Sequence, residues 1–484
     1  MAERSRTLVM KFGGTSVGSA DAMFKAARIV MDAHANWERV IVITSAISGA
    51  TNLLLDSASQ AARGNLKTLV QAEGALLADH EKIIDAQIQS AGCRAELKEK
   101  IASLIRDFGN LCRAISVLGE ASPRALDAVA SLGERMSVYI LTGVIESCGV
   151  PAQAIESTEL IVTNSHFQNA HPDFDATRGK THAKLDPLLD KGIVPVTTGF
   201  IGATPDGIIT TLGRGGSDYS AAILASVLPA DDVWIWTDVD GVMTSDPRVV
   251  SNARTLPEIS YNEIAELAYY GAKVLHPKTI RPVVDAGIGL RICNTFNPSH
   301  PGTRVKTRKS NGEPVNGQVI KAVTAIRNQK LVTIEGRGML GVPGVAARAF
   351  AAVASTGTSV PLITQASSEQ SICFAVPSES AGDVVASLER VFAYELGEDD
   401  IDRVWTTEDV TIVTVVGVGM RHTPGVAGQI FSQLGDRSVN VLAIAQGSSE
   451  VSISLVVDAG STDAAVKAVH DLIVNEPVSK AAAA

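Results

Sequence analysis

Lys11 stands at the end of an apolar run and is followed at once by small residues, in the stretch VMKFGGTSVGS (9–19). Gly13 and Gly14 carry no side chain, so an anion can approach their backbone N–H groups closely. The lysine adds a full positive charge beside those donors. This combination predicts a phosphate site. A glycine turn beside an exposed lysine is the alternative interpretation.

A second glycine-rich stretch, TLGRGGSDYSAAILASVL (211–228), repeats this arrangement around Arg214. The planar guanidinium suits bidentate binding of a carboxylate. Ser217 is predicted to cap the following helix, and Asp218 to lie in its first turn, where it could orient Lys11 or a metal-bound phosphate. The alternative is that Ser217 and Asp218 only cap the helix while Arg214 is solvated. Both interpretations can hold together, because a capped helix start also binds anions.

Four further stretches combine polar side chains with apolar surroundings. They are ITSAISGATNLL (43–54) with Ser45 and Thr51, SLGERMS (131–137) with Glu134 and Arg135, WTDVDGVMTSDPRVV (236–250) with Thr237, Asp238 and Arg248, and YYGAKVLHPKTI (269–280) with Lys273. Taken singly, the first is explained by an ordinary loop and the second by a solvated charge pair. None of the four stretches indicates a functional site unless it is considered together with the others.

Two apparent nucleotide motifs fail. GRGMLG (336–341) fits GxGxxG after a predicted strand, but Pro361 stands where an acidic residue should meet the ribose. GKT (179–181) resembles the end of a Walker loop, but Phe174 replaces its first glycine. The sequence therefore excludes both a dinucleotide fingerprint and a P-loop.

Composition limits the classes of partner. The 484 residues are 45% apolar and 19% charged, which is typical of a globular protein with two or three domains. A net charge of −10 without basic stripes argues against nucleic acid. The five scattered cysteines form no CxxC, so we expect reduced thiols and no zinc site. Without a signal region or a long apolar run, we expect a cytoplasmic protein that binds no membrane.

Short β-type runs alternate with helical patterns through residues 1–296, which is typical of a layered α/β domain. The predicted strands are LVMKF (8–12), VIVITSA (40–46), IVPVTTGF (193–200), DVWIWTD (232–238) and LRICN (290–294), and residues 66–148 are predicted to be mostly helical. Lys11 and Asp238 thus belong to the ends of two strands. Residues 297–317 are rich in Pro, Gly and Asn and are predicted to be a linker.

The C-terminal part contains an internal repeat with a shift of 81 residues. IEGRGMLGVPGVA (334–346) returns as VVGVGMRHTPGVA (415–427), and ITQASSEQSI (363–372) returns as IAQGSSEVSI (444–453). Each copy predicts a βαββαβ unit. We place these units at 318–400 and 401–476, with a tail at 477–484, and allow the leading strand, about 318–326, to pair with the second unit.

Seven stretches occur in the order found in the aspartokinases, which belong to the amino acid kinase superfamily. They are KFGGTSVGS, SAISGATNLL, LGERMS, TTGFIGA, LGRGGSDYSAA, WTDVDGVMTSDPR and YGAKVLHPKTI. The chain resembles that family from residue 7 to 475. The resemblance implies a three-layer α/β/α kinase domain at 1–296, followed by two ferredoxin-like ACT regulatory units.

The repeats ITQASSE and IAQGSSE are most similar to those in the aspartokinase half of threonine-sensitive aspartokinase–homoserine dehydrogenases. The chain ends where a dehydrogenase domain would begin, so we expect a monofunctional enzyme. The resemblance implies the reaction of ATP and L-aspartate to ADP and 4-phospho-L-aspartate, the first step of lysine, threonine and methionine biosynthesis. It also implies magnesium, which we expect to be bound through ATP phosphates and water rather than by a protein metal site.

The resemblance gives each matching position a role. Lys11, with the Gly13 and Gly14 backbone, would hold the transferring phosphoryl group, and Asp218 would orient Lys11. Arg214 would bind a carboxylate of aspartate and Glu134 its ammonium group. The pocket would be lined by Ser45, Thr51, Phe200 and Ser217. The nucleotide would be surrounded by Thr237, Asp238, Met243, Arg248, Lys273 and Val274, with Met243 standing where many relatives have tyrosine.

Feedback inhibition at the repeats is also implied, with threonine as the first candidate inhibitor and lysine as the second. The candidate effector residues are Met339, Gln365, Met420 and Gln446. Pairing of the ACT units predicts a homodimer or homotetramer. Two alternatives stay open, namely an amino acid kinase with a glutamate-type substrate and a catalytically inactive amino-acid sensor. Intact Lys11, Arg214 and Asp218 argue against the sensor.

Overall fold

The computed structural model describes residues 6–272, 275, 277–306, 319–339, 342–365, 370–420, 423–447 and 451–475. The chain divides into two compact units. The first contains Met1–Val242, Pro257–Tyr261 and Leu275–Thr307, and the second contains Met243–Leu256, Asn262–Val274 and Arg308–Ala484.

An eight-stranded sheet in the order β3-β4-β2-β1-β7-β9-β10-β8 forms the centre of the first unit. The strands of this unit are β1 (Thr7–Phe12), β2 (Arg39–Thr44), β3 (Ala152–Ile155), β4 (Val194–Thr198), β5 (Ile201–Ala203), β6 (Ile209–Thr211), β7 (Asp232–Thr237), β8 (Glu258–Ser260), β9 (Gly289–Asn294) and β10 (Thr303–Lys306). Strands β5 and β6 form a separate hairpin. All five strands expected from the sequence are present.

The helices of this part of the chain are α1 (Ala20–Asn36), α2 (Ala50–Ala62), α3 (Lys67–Gln87), α4 (Ala91–Leu118), α5 (Pro123–Ser147), α6 (Phe174–Leu189), α7 (Gly216–Val227), α8 (Tyr261–Tyr269) and α9 (Pro277–Asp285). Helices α3 to α5 confirm the long helical segment expected at 66–148. Ser19, Ser90 and Ser122 cap α1, α4 and α5 by accepting a backbone N–H, as serine does at helix starts.

The side chains of β1 alternate between two helical layers, one on each face of the sheet, so the arrangement is a three-layer α/β/α structure. Leu8, Met10 and Phe12 belong to the apolar core that contains side chains of α1 to α5. Side chains of successive strand residues point to opposite faces, so Lys11 faces the other layer, where it meets α7. Strand β1 lies parallel to β2 and β7, with Phe12 opposite Thr44 and Trp236. The carboxyl ends of these three strands therefore meet at one edge of the sheet.

Helix α5 is long and apolar enough to cross a membrane by length and composition alone. However, 78% of the 18-residue window that meets this test is buried inside the structure. Its apolar side chains, among them Leu132, Met136 and Ile140, pack in the core of the first unit. The helix therefore owes its apolar character to this packing.

Strand β10 lies inside the segment 297–317 that was expected to be a linker. Thr303–Val305 pair antiparallel with Leu290–Ile292 of β9, so the sheet extends into this segment. The side chains of β10 alternate between buried and exposed, a short pattern that the surrounding Pro and Gly residues obscure in the sequence. Residues 307–318 lie outside the described part of the chain.

A second, antiparallel sheet in the order β12-β13-β11-β15-β17-β16, with β14 paired to β11, belongs to the second unit. Its strands are β11 (Ala322–Glu335), β12 (Leu362–Gln365), β13 (Ser371–Pro377), β14 (Arg403–Thr406), β15 (Val410–Val416), β16 (Ala443–Gln446) and β17 (Ser452–Asp458). The helices are α10 (Val345–Ser355), α11 (Ala381–Val391), α12 (Ala393–Gly397), α13 (Val426–Asp436) and α14 (Thr462–Asn475). Both copies of the repeat fold as strand, helix, strand, strand and helix, as the sequence predicts.

The long strand β11 serves both repeats. Its first part, Ala322–Ile326, pairs with Ile412–Val416, and its second part, Gln329–Glu335, pairs with Ser371–Pro377. The register shifts between the two parts, where Asn328 has a positive φ of 56°. Strand β14 pairs with the second part, so residues 403–406 complete the first repeat and not the second, into which the expected boundary at 400 placed them. Sequence similarity locates a repeat but does not show which sheet its flanking strands join.

Two segments that were expected in the kinase domain belong to the second unit. Glu263 is buried, and its carboxylate accepts hydrogen bonds from Lys321 Nζ (2.9 Å) and from the Val418 N–H group (2.8 Å). The hydroxyl of Thr244 lies 2.9 Å from Nε2 of buried His470. These buried polar contacts attach 243–256 and α8 to the repeats, which a boundary drawn from composition at residue 296 does not reveal.

Candidate active site

The lysine of the opening stretch is a buried, paired cation. Lys11 precedes the last residue of β1, and its Nζ lies 2.7 Å from Oδ1 of Asp218 on α7. A β-carbon on Gly13 would lie 3.6 Å from that nitrogen, and one on Gly14 would lie 3.0 Å from the Ala46 carbonyl oxygen. Glycine therefore leaves the backbone beside the charge open to a ligand. The interpretation as an exposed lysine is wrong, and the orientation of Lys11 by Asp218 agrees with this geometry.

Helix α7 begins without a side-chain cap. Gly213 and Gly215 have positive φ values of 79° and 71°, and the chain enters the helix at Gly216. The prediction that Ser217 caps the helix is wrong, because the left-handed Gly215 occupies the cap position. The backbone N–H groups at such a helix start favour a negatively charged ligand.

One cavity of about 590 Å³ gathers nine of the ten residues predicted for catalysis and substrate binding, all except Gly13. Its lining includes Lys11, Gly14, Ser45, Thr51, Glu134, Phe200, Arg214, Ser217 and Asp218. These residues come from strand ends, from the starts of α2 and α7, and from the middle of α5. The predicted phosphoryl and amino-acid subsites therefore share one cavity.

Glu134 is the most unusual ionisable group in this cavity. It is 4% exposed, and its Oε2 has no hydrogen-bond partner. Burial raises the pKa of Glu134 to about 8, against smaller lowering effects from the Ala46 backbone and from Lys11. Because a buried carboxylate requires a partner, the free oxygen fits a cationic ligand group. The interpretation of Glu134 as part of a solvated charge pair is wrong.

Arg214 complements Glu134 across the lining of the cavity. Its side chain is exposed, and among the residues that the structure describes no acceptor pairs with it. Arg135, the neighbour of Glu134, instead pairs with Glu156 at 2.9 Å. The cavity therefore offers one free guanidinium and one buried carboxylate oxygen without a partner, which suits a ligand with both a carboxylate and an ammonium group.

Close glycine contacts fix the wall formed by Phe200 and Ser217. A β-carbon on Gly199 would lie 2.6 Å from Cβ of Ser217, and one on Gly216 would lie 2.6 Å from the Phe200 ring. Phe200 has a positive φ of 67°, and its N–H donates to the Ser220 hydroxyl at 2.9 Å. Only glycine at 199 and 216 allows the hairpin to pack this closely against α7.

The cavity also contains residues that the sequence did not reveal. Asp127, Gln168 and Thr211 line it. Asp127 lies seven residues before Glu134 in α5 and therefore on the same helix face. That spacing was available in the sequence, but the partners of Asp127 are remote along the chain.

The predicted nucleotide residues are distributed over both compact units and, in part, lie outside the described residues. Thr237 ends β7 and Asp238 follows it, at the same sheet edge as Gly13. The Gly13 N–H group donates to the Trp236 carbonyl oxygen at 3.1 Å. Met243 and Arg248 belong to the second unit. Arg248 is exposed and pairs with Asp246 at 2.6 Å. Lys273 and Val274 lie outside the described residues.

The candidate effector residues fall into two groups. Gln365 and Gln446 are the exposed last residues of β12 and β16, and they pair with the equivalent residues Ile372 and Ile453. Met339 and Met420 are instead buried in the apolar cores of the first and second repeat. Their repetition marks a core position, so their side chains are not available to bind an effector.

No group of three or more His, Cys, Asp or Glu side chains that could hold a metal ion is present in the described ranges. The residues at the cavity therefore offer no closed metal cage.

Comparison with known proteins identifies the class. Residues 6–294 match the model of the amino acid kinase family, and residues 332–392 and 413–472 match an ACT domain. The crystal structure of Escherichia coli aspartokinase III in complex with aspartate and ADP is similar, with a TM-score of 0.80 at 33% identity over 97% of this chain and 100% of that chain. The class is therefore an amino acid kinase domain joined to ACT domains.

Two curated relatives narrow this class. The chain is 34% identical over 476 residues to lysine-sensitive aspartokinase 3 of E. coli (strain K12), covering 96% of this chain and 99% of that protein. It is 36% identical over 469 residues to the chloroplastic bifunctional aspartokinase/homoserine dehydrogenase 1 of Zea mays, covering 96% of this chain. It spans about half the length of such bifunctional relatives. The chain belongs to the aspartokinase family.

Proposed function

We propose that this protein is an aspartate kinase, which transfers the γ-phosphoryl group of ATP to the side-chain carboxylate of L-aspartate and releases ADP and 4-phospho-L-aspartate. The buried carboxylate of Glu134, whose Oε2 has no hydrogen-bond partner, carries this proposal, because it shares a cavity with the free guanidinium of Arg214. A zwitterionic amino acid satisfies both groups at once. The paired Lys11 and Asp218 lie in the same cavity, beside the helix start that favours phosphate.

The chemistry follows from the charges of the reactants. The attacking carboxylate of aspartate is ionised at neutral pH, so the transfer requires no general base. Catalysis then depends on positioning and on neutralising charge as the phosphoryl group moves. Lys11 supplies a positive charge that Asp218 holds in place, and the Gly13 and Gly14 backbone leaves room for the phosphate. Asp218 therefore orients Lys11 and takes no proton.

Magnesium enters this scheme as part of the substrate MgATP. The described residues offer no closed set of carboxylate ligands, so phosphate oxygens and water would supply most of the coordination. The ADP in the similar E. coli aspartokinase III structure supports a nucleotide substrate. It stays a prediction that the nucleotide is surrounded by Thr237, Asp238, Met243, Arg248, Lys273 and Val274.

We also propose feedback inhibition by an end-product amino acid at the ACT repeats. Threonine is the first candidate because of the repeat sequences, and lysine is the second. A crystal structure of E. coli aspartokinase III with lysine and aspartate, 33% identical to this chain, supports an amino-acid inhibitor. The homodimer or homotetramer and the cytoplasmic location stay predictions.

Trapping of the acyl phosphate tests the proposed reaction. The purified protein is incubated with MgATP, L-aspartate and hydroxylamine, and the hydroxamate is measured, with glutamate and N-acetylglutamate as alternative substrates. We expect hydroxamate from aspartate alone. A product from glutamate would favour the alternative substrate, and no product from any amino acid would favour an inactive sensor.

A further inference from the structure

Asp127 is a buried carboxylate in the cavity wall with no role in the chemistry described above. It is 1% exposed, and within the described ranges it pairs with no lysine or arginine. Burial raises the pKa of Asp127, and hydrogen bonds from Gln168 and Thr211 lower it in part. Burying a carboxylate without a neighbouring cation costs stability, so the presence of Asp127 in this wall requires an explanation.

Both oxygens of Asp127 are used to hold other segments of the wall. The Gln168 N–H group lies 3.1 Å and 3.0 Å from the two oxygens. Thr211 donates twice, from its N–H group to Oδ2 at 3.0 Å and from its hydroxyl to Oδ1 at 2.7 Å. One side chain of α5 therefore joins the end of β6 to the loop at residue 168.

The loop that Asp127 holds is conformationally strained and tightly packed. Gln168 has a positive φ of 66°, a conformation that non-glycine residues rarely adopt unless the surroundings enforce it. Its carbonyl oxygen would lie 3.0 Å from a β-carbon placed on Gly213. The Ala170 N–H group also donates to the Thr211 carbonyl oxygen at 2.9 Å. Loop and strand end are thus fixed to each other and to Asp127.

These contacts connect α5, which carries Glu134, to the segment that leads to Arg214. Glu134 is two helical turns from Asp127, about 10 Å along the axis of α5. Arg214 follows Thr211 by three residues, through Gly213, which packs against the held loop. The position of the Arg214 segment relative to α5 therefore depends on the carboxylate of Asp127.

We propose that Asp127 is a positioning residue that fixes where Glu134 and Arg214 hold the substrate relative to Lys11 in the shared cavity, and so selects the length of the amino-acid side chain. This inference rests on the proposed function, because it assumes that Glu134 and Arg214 hold the ammonium and carboxylate of aspartate. An amino acid longer by one methylene group, such as glutamate, would place its reacting carboxylate differently between these two anchors and Lys11. Anchors held at a fixed distance from Lys11 reject the longer side chain, whereas anchors that can shift tolerate it.

Asp127→Asn tests this role, because it keeps the shape but leaves one acceptor oxygen where two now receive the Gln168 N–H group and the two donors of Thr211. We expect the KM for aspartate to rise about tenfold, while the KM for MgATP stays within about twofold. The preference for aspartate over glutamate, measured as the ratio of kcat/KM values, should fall about tenfold. A purely structural role would not change this ratio.

Two further variants keep the test decisive. Thr211→Val removes the hydroxyl donor but keeps the N–H group, so we expect a rise of about threefold in the KM for aspartate, even if Asp127→Asn does not fold. Asp232→Asn is the matched control, because Asp232 accepts hydrogen bonds from Val233 and Trp234 at the opposite end of β7. It should leave the preference unchanged.

The outcomes separate this inference from the proposed function. A wild-type protein that forms no aspartyl hydroxamate would overturn both. An active wild type together with unchanged KM and unchanged preference in Asp127→Asn and Thr211→Val would overturn the positioning role alone. So would a parallel rise in the KM values for aspartate and MgATP with an unchanged preference, since that would indicate general loss of structure.

Discussion

At the scale of single residues, Lys11 carries the charge on which the proposed transfer depends. Lys11→Met should lower kcat by roughly 10²–10³ or more, as the loss of one preorganised donor does in other enzymes, because no described cation replaces it beside Asp218. Steady-state hydroxamate formation measures this effect. Lys25→Met is the matched control, since Lys25 is only partly buried and pairs with Asp21 on α1, away from the cavity lining. Equal turnover of the two variants would contradict the phosphoryl role of Lys11.

Glu134 makes aspartate binding depend on pH. With its pKa raised to about 8 by burial, Glu134 is largely protonated at pH 6.5 in the free protein, and only the ionised form attracts an ammonium group. The KM for aspartate should therefore fall as the pH rises from about 6.5 to 8.5, while the KM for MgATP changes little. A KM for aspartate that is flat over this range, or that rises, would contradict the pairing.

The same pKa predicts a gain in stability from Glu134→Gln. The unfolded chain releases this proton near pH 4.5, whereas the folded protein keeps it up to about pH 8, so the folded state loses stability relative to the unfolded state across this window. Glutamine avoids that loss. The variant should melt at a higher temperature at pH 8 but not at pH 4.5, while its affinity for aspartate falls. Equal melting temperatures at pH 8 would contradict the buried, unpaired state of Glu134.

Single residues also show what the sequence could and could not predict. Lys11, Arg214 and Asp218 stand in glycine-rich stretches whose chemistry is local, so their types and spacing predicted the site. Asp127 binds Gln168 and Thr211, which are 41 and 84 residues away along the chain. A role defined by such remote partners is invisible without the fold.

At the scale of elements, the start of α7 depends on its fit against the hairpin β5–β6. Gly199→Ala would place a β-carbon 2.6 Å from Cβ of Ser217, so the helix start must move. We expect a loss of about 1–3 kcal/mol of stability and a higher KM for aspartate, measured by thermal unfolding and by kinetics. Gly179→Ala is the control, because its β-carbon meets nothing within 4 Å in α6.

That control should be neutral or stabilising, by up to about 1 kcal/mol, since alanine favours a helix more than glycine does. A Gly199→Ala protein as stable and active as Gly179→Ala would show that the contact between hairpin and helix is unimportant.

The backbone conformation at the start of α7 explains why this helix start was mispredicted. Serine is a common cap, but the positive φ of Gly215 that displaces it is a property of the three-dimensional turn.

At the scale of the whole molecule, the two repeats offer equivalent exposed glutamines for an effector. Gln365→Ala combined with Gln446→Ala should relieve inhibition by threonine or lysine without lowering the uninhibited kcat, because an inhibitor acts through its different affinities for active and inactive states. Inhibition curves with both amino acids measure the effect. Gln153→Ala, an exposed strand glutamine of β3, is the control.

Full sensitivity of the double variant would contradict the assignment of the glutamines. Insensitivity of the wild type to both amino acids would remove its basis. The existence of the repeat was predictable, because duplication leaves a shift of constant length in the sequence, but the sheet that β14 joins was not. The attachment of Glu263 to Lys321 was not, because a buried ion pair between distant segments leaves no local pattern.

The shared strand β11 has a consequence for how the chain folds during synthesis. Ala322–Ile326 leave the ribosome before the first repeat, but their partners Ile412–Val416 follow only after that repeat is complete. Folding of the first repeat shortens the distance between Ala322–Ile326 and the chain that follows the repeat. The two ends of the repeat meet where Leu331 and Thr407 form two hydrogen bonds of 3.0 Å. The folded first repeat thus holds the still unpaired segment Ala322–Ile326 close to where its partner strand in the second repeat will form. A nascent chain arrested before residue 410 would display this segment as an open edge, ready to pair with a neighbouring chain.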